Sequence, residues 1–210
     1  MDQITLPIYR GLNPLKFEKT YERGKEFEDE VAAVFKQYSR HVYCGVKIDT
    51  NMTEIGHTEI DIVAALDSFI FIVEVKNVIS IVGKLTDDYW LMRGKSAEEP
   101  YTAMNVFTQN RLHCEAFQQA WLSNILDNRT DKSILQNIEI PKVISIVVVR
   151  DGAEIPEELK TGGIFTLHEL SEQLPSIQLK NKSDIGYKLD YLLGSTKHFK
   201  RSDFNGKGRR

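Results

Sequence analysis

The sequence predicts an α/β fold of order αβββαβ: a mixed central sheet with helices on both of its faces. Three observations predict it. Thr58 to Val78 holds two runs rich in isoleucine, valine and phenylalanine, joined at Asp67-Ser68, which reads as a β-hairpin. Stretches of helical periodicity precede and follow that hairpin, near residues 19–38 and 101–126. Beyond them Val143 to Val149 is an apolar run broken only by Ser145, as suits a strand buried on both faces and parallel to a neighbour.

Length and composition bound the rest. The 210 residues fit one domain with modest extensions: an arm over 1–17, a domain over 18–194, and a mobile basic tail over 195–210. A net charge of −3 argues against indiscriminate coating of nucleic acid, while leaving room for a local basic groove. The two cysteines, Cys44 and Cys114, lack metal-ligand or redox spacing and read as reduced, buried thiols of a cytoplasmic protein. No apolar run reaches membrane-spanning length, so no membrane partner is expected.

In chain order, Phe27, Val31, Val34, Phe35 and Tyr38 form one stripe at helical spacing. Gly24 lies in or at the start of this helix, where a close neighbour would be one reason to keep a glycine. Val42, Cys44, Val46 and Ile48 alternate with polar or small residues, as in a half-buried strand. In the hairpin, a turn centred on Asp67-Ser68 pairs residues whose numbers sum to 135, setting Asp61 opposite Glu74 and Glu59 opposite Lys76. Period-two alternation then places all four on one side, with Ile60, Ile62, Phe71, Val73 and Val75 on the other.

After Lys76 a further strand or hairpin is expected, with Gly83 at a turn and Tyr89-Trp90 facing one side. The helix expected over 101–126 carries Met104, Phe107, Cys114, Phe117, Trp121 and Ile125 on one face and Leu112, Ala116 and Ala120 on another. Asn105 and Gln109 fall beside that second face, with His113 a little further round. A short strand at 163–167 and helices at 168–174 and 184–193 complete the reading.

The chemistry concentrates in the hairpin. Cross-strand partners have Cβ atoms about 5 Å apart, where two carboxylates repel by on the order of 3 kcal/mol at an effective dielectric of ~20. Lys76 offsets part of that cost, and a hard divalent cation held by Asp61 and Glu74 would offset more. The alternative is a salt-bridged sheet end with a Glu59–Lys76 pair and a solvated Asp61, and geometry alone leaves both open. His41, His57, His113, His168 and His198 are scattered and suggest no histidine metal cluster.

Asp61 followed on the next strand by Glu74-Val75-Lys76 resembles the PD-(D/E)XK nuclease signature, with Ile60 standing where the family name has proline. The chain is more closely similar to the NERD (nuclease-related) domain, from Gly24 to about Arg150. Four pieces carry this: G-K-E-F-E opening a helix, E-I-D, I-V-E-V-K-N, and N-x-x-x-Q on a later helix. The resemblance implies a restriction-endonuclease-like fold and metal-dependent hydrolysis of phosphodiester bonds, in DNA first, with Mg²⁺ or Mn²⁺ as cofactor. It implies that Asp61 and Glu74 hold the ion with the Val75 carbonyl, that Lys76 acts on water or phosphate, and that Glu28 positions water from its helix. Gln109 matches the helical glutamine of such domains. The expected partner is nucleic acid, with a homodimer among the states allowed. The rival reading is a catalytically silent nuclease fold that binds nucleic acid or a protein partner.

Overall fold

The computed structural model describes residues 14–54, 56–94, 99–127, 141–177, 185–195 and 199–201. The chain runs α1 (Pro14–Lys36), β1 (Val42–Asp49), β2 (His57–Leu66), β3 (Phe69–Lys76), β4 (Val78–Val82), β5 (Tyr89–Gly94), β6 (Tyr101–Met104), α2 (Val106–Asp127) and β7 (Lys142–Val149). It continues through α3 (Glu157–Thr161), β8 (Ile164–Thr166), α4 (Leu167–Ile177), α5 (Ile185–Ser195) and β9 (Phe199–Arg201). The central sheet has six strands in the order β8-β7-β3-β2-β1-β9. β1, β2 and β3 are antiparallel, whereas β7 lies parallel to both β3 and β8, so the sheet is mixed as predicted.

Helices cover both faces. α1 and α4 bury Phe27, Val31, Phe35, Leu170 and Leu174 against Ile62, Phe71, Val73 and Val148. On the other face α2 and α5 bury Phe117, Trp121, Leu189 and Leu192 against Val63, Ala65, Ile70 and Ile72. Each apolar stripe thus removes its own face of the sheet from water, at roughly 25 cal/mol per Å² of apolar surface. This is a restriction-endonuclease-like arrangement.

The β2–β3 turn is two residues, with Asp67 at a φ of 54°, a left-handed value that aspartate tolerates better than most residues. The resulting register pairs Ile62 with Val73 and Leu66 with Phe69, the sum of 135 that the turn predicts. One expectation fails within β1 and β2. Val42 and Cys44 pack on the α1 side, but Val46 and Ile48, which alternation would place with them, pack on the α2 side. Ile62 and Ile60 divide in the same way. Both strands therefore change faces at Gly45 and Asp61, which lie across from each other in the register. Gly45 has a φ of 59°, which its missing Cβ permits at no steric cost. Ile60 consequently leaves the face it was expected to share with Ile62, Phe71, Val73 and Val75. Glu59 pairs with Lys47 at 3.5 Å instead of meeting Lys76.

Past Lys76 the chain leaves the central sheet and builds a three-stranded antiparallel sheet, β4-β5-β6. Tyr89 is 56% exposed and Trp90 1%, so these neighbours face opposite sides, as strand alternation requires. The segment Tyr101–Met104, expected as helix, pairs with β5. Asn105 then starts α2. Its side-chain oxygen accepts the Phe107 N–H at 2.9 Å, and its amide donates to the carbonyls of Leu85 and Asp87. A Cβ added at Gly24 would meet nothing within 4 Å, so no close neighbour explains that glycine.

The arm expected over 1–17 lies outside the described residues up to 13, and its last four residues belong to α1. Of the basic tail expected to be mobile, Phe199–Arg201 pairs with β1 and the remainder past 201 lies outside the described residues. No helix among the described residues is long and apolar enough to cross a membrane. Cys44 and Cys114 are free and half-buried.

Candidate active site

Ile70 and Ile72 pack beneath α2, so alternation along β3 turns Glu74 and Lys76 to the same side. Glu74 is 2% exposed. Its Oε1 accepts the Lys76 ammonium at 2.5 Å and the Gln109 amide at 2.8 Å. Gln109 returns the contact, its Oε1 accepting from Lys76 Nζ at 3.3 Å. Glu74 Oε2 lies 3.2 Å from His113 Nε2, yet neither atom has an aligned hydrogen-bond partner among the described residues. The other nitrogen of that ring, Nδ1, is 2.8 Å from Thr58 Oγ1.

The β2–β3 ladder ends at the Ile62–Val73 pair, and Asp61, expected opposite Glu74, lies just beyond it at the point where β2 changes faces. Its Oδ2 accepts the backbone N–H of Val75 at 2.7 Å, which fastens the acid to β3 between Glu74 and Lys76. Burial pushes the Asp61 carboxyl well above its ordinary range, and the negative charge of Glu74 pushes it further; Lys76 and the Val75 N–H pull back only partly. Glu74 moves the other way. Burial opposes its ionisation, but Lys76 and His113 together hold its carboxyl below the usual value. Burial disfavours the Lys76 cation as well, and the charges of Glu74 and Asp61 outweigh it, so the amine is held above its ordinary value and stays protonated.

The structure thus gathers Asp61, Glu74, Val75, Lys76 and Gln109 at one end of the sheet. Glu28 stands apart on α1, bound to Lys25 at 2.6 Å. Burial raises its carboxyl, and its charge reaches Asp61 as a minor repulsion. Among the described residues no three His, Cys, Asp or Glu side chains form a metal cage. Two neighbouring carboxylates fit the oxygen-donor chemistry of a hard cation, which takes one or two carboxylates and completes its shell with water and phosphate oxygens.

The family model of the nuclease-related domain, NERD, matches residues 23–150, more than half of the chain. The protein belongs to the NERD family. NERD domains are PD-(D/E)XK-like nuclease domains, and the matched span holds every residue just described. No curated protein and no solved structure matches the chain.

Within this NERD domain, the sequence reading set His113 near Gln109 on the helix without giving it a role, and it missed Thr58. His113 follows Gln109 by four residues, one helical turn, and both reach Glu74. Thr58 opens β2 and touches His113. Helical spacing joins His113 to Gln109, whereas nothing local in the sequence points to Thr58. Asn105, the other half of the N-x-x-x-Q piece, caps α2. Arg150, at the end of β7, also went unnoticed. Its Nε donates to Asn77 Oδ1 at 2.5 Å and its guanidinium lies 4.4 Å from the Phe27 ring, tying α1 to the residue after Lys76.

Proposed function

We propose that this NERD protein is a divalent-metal-dependent nuclease that hydrolyses phosphodiester bonds in DNA. One observation carries the reading: beside the buried Glu74, which is engaged by Lys76 and Gln109, a second acid, Asp61, is fastened to the next backbone N–H along β3. Burial first, and then the charge of Glu74, keep the Asp61 carboxyl raised, a cost that suits a functional site better than a structural one. Asp61 and Glu74 would hold Mg²⁺ or Mn²⁺, with the Val75 carbonyl as a further donor. Such an ion, when bound, supplies Lewis-acid polarisation of a phosphoryl oxygen and acidifies water.

The remaining roles follow from charge and placement. Lys76 is held protonated, so it serves as a cation that neutralises phosphate oxygens. Gln109 contacts both Glu74 and Lys76 and keeps acid and amine in fixed relation. Glu28, half-buried on α1, would orient water from the opposite layer once released from Lys25. Burial raises both thiols, Cys114 to about 11, which keeps them unreactive, and from their unpaired state we assign the cytoplasm as the location.

A panel of linear, circular, nicked and branched DNA with Mg²⁺ or Mn²⁺ tests this. Wild-type protein should cut at least one form only when an ion is added. Asp61→Ala, Glu74→Ala and Lys76→Ala should lose the activity while remaining folded by circular dichroism. Wild-type protein that leaves every form intact with both ions overturns the reading. The closed Lys76–Glu74 contact favours one rival, a silent nuclease fold that only binds nucleic acid. For that case calorimetry would find no Mn²⁺ binding, and DNA affinity would be the same in all three variants.

A further inference from the structure

Two buried atoms with no other side-chain partner among the described residues lie 3.2 Å apart in the site: Glu74 Oε2 and His113 Nε2. A carboxylate oxygen only accepts, so the nitrogen in front of it must carry a proton for the contact to be attractive. A hydroxyl can donate or accept, and Thr58 Oγ1 lies 2.8 Å from the opposite ring nitrogen, Nδ1. We propose that Thr58 and His113 are a positioning pair for Glu74. The Thr58 hydroxyl donates to Nδ1, the ring proton is thereby kept on Nε2, and Nε2–H fixes the rotation of the Glu74 carboxylate.

The consequence is geometric. With Oε2 held by His113, Oε1 stays turned toward Lys76 and Gln109. An acid so fixed presents the same lone pairs to each incoming ion, and the ordering that binding would otherwise cost is already complete. Placement on the chain supports the role. His113 sits one turn along α2 from Gln109, and Thr58 lies three residues before Asp61 on β2, so the pair joins the glutamine's helix to the aspartate's strand. All three side chains are buried, which shields the contact from competing water. The inference rests on reading Glu74 as an ion-holding acid, and it assigns roles to two residues which that reading does not use.

The first measurement needs neither a variant nor turnover. A long-range proton–nitrogen spectrum of the metal-free, ¹⁵N-labelled full chain shows which ring nitrogen of His113 is protonated. We expect protonated Nε2 and bare Nδ1; a proton on Nδ1, alone or with a second on Nε2, overturns the proposal. The second measurement compares Thr58→Val, Thr58→Ser and His113→Gln in Mn²⁺ calorimetry and DNA cleavage. Loss of a group that orients a metal ligand typically costs about 10- to 100-fold in affinity or activity. Thr58→Val and His113→Gln should weaken Mn²⁺ binding and lower kcat by that factor with KM for DNA unchanged, while Thr58→Ser stays near wild type.

A folded Thr58→Val that binds Mn²⁺ and turns over like wild type overturns the pair. If Thr58→Val does not fold, Thr58→Ser and the ring spectrum decide. Wild-type protein that binds Mn²⁺ and shows Nε2–H but cuts nothing would sink the nuclease reading and leave the positioning pair standing. Wild-type protein that binds no Mn²⁺ would remove both.

Discussion

Two imidazoles meet carboxylates at opposite ends of the central sheet. At the far end from Glu74, His41 Nδ1 lies 2.8 Å from Asp190 Oδ1, and the Tyr43 hydroxyl donates to the same oxygen. The His41 and Tyr187 rings meet edge-on at 5.3 Å, with the Arg40 guanidinium 4.8 Å from the Tyr187 ring. These contacts fasten α5 to β1. Asp190 is 40% exposed on its side chain, and two donors serve its carboxylate. Glu74 is 2% exposed, and a second carboxylate stands beside it. A structural clasp closes its own charges, whereas the Glu74 end holds two buried acids together. That crowding of two buried acids, absent from the clasp, marks the Glu74 end as the candidate site.

The sharpest way to break this contrast is Asp61→Asn. Cleavage should fall by about a thousandfold or more, roughly 4 kcal/mol of barrier. Stability should move the other way. An acid whose folded value is raised costs stability at pH values above its unfolded value of about 4, and regains it as pH falls. A neutral asparagine removes that cost, so the melting temperature at pH 7 should rise by roughly 2–4 °C for about 1 kcal/mol. A variant that melts lower than wild type would show that Asp61 supports the fold, and the two ends of the sheet would then be alike. Gly24→Ala is the control. With nothing near the added Cβ, it should raise stability by up to about 1 kcal/mol and leave cleavage unchanged. A stability gain that also cost activity there would undo the inference from Asp61.

The clasp yields the opposite pattern. A Cβ on Gly186 would lie 2.2 Å from the His41 ring, which Asp190 and Tyr187 hold in place. Gly186→Ala should therefore cost about 1–3 kcal/mol and lower the melting temperature, with kcat for DNA unchanged. A fall in kcat larger than the unfolded fraction explains would mean that the clasp reaches the site.

How much of this the sequence disclosed depends on distance along the chain. The β2–β3 register is legible because a two-residue turn fixes it, and β7 is legible because its second half, Ile146 to Val149, is apolar and buried on both faces. The start of α2 is not. Tyr101–Met104 fits the helical period, and only the capping chemistry of Asn105 marks the true boundary. The face change is hidden for a similar reason. Counting by twos assumes a uniform strand, and the one local hint is a glycine, Gly45, inside β1. Asp61, Glu74 and Lys76 are legible because one hairpin carries them. His113 joins Glu74 through helix-on-sheet packing across 39 positions, and no periodicity within α2 reports which strand lies beneath it.

The smallest expected effect tests whether the clasp works through charge. Burial pushes the Asp190 carboxyl up, but the hydrogen bonds from Tyr43 and His41 outweigh it and hold the group below its ordinary value. An acid shifted down contributes stability that is complete above its unfolded value, about 4, and is lost as pH falls through the folded one. Asp190→Asn keeps the shape and removes the charge. Its melting temperature should lie slightly below that of wild type at pH 5, and the gap should shrink steadily below pH 4. A gap that persists undiminished into strong acid would assign the joint to packing of α5 and ring contacts. The carboxylate would then be incidental at that end of the sheet, and only the Glu74 end would use charge at all.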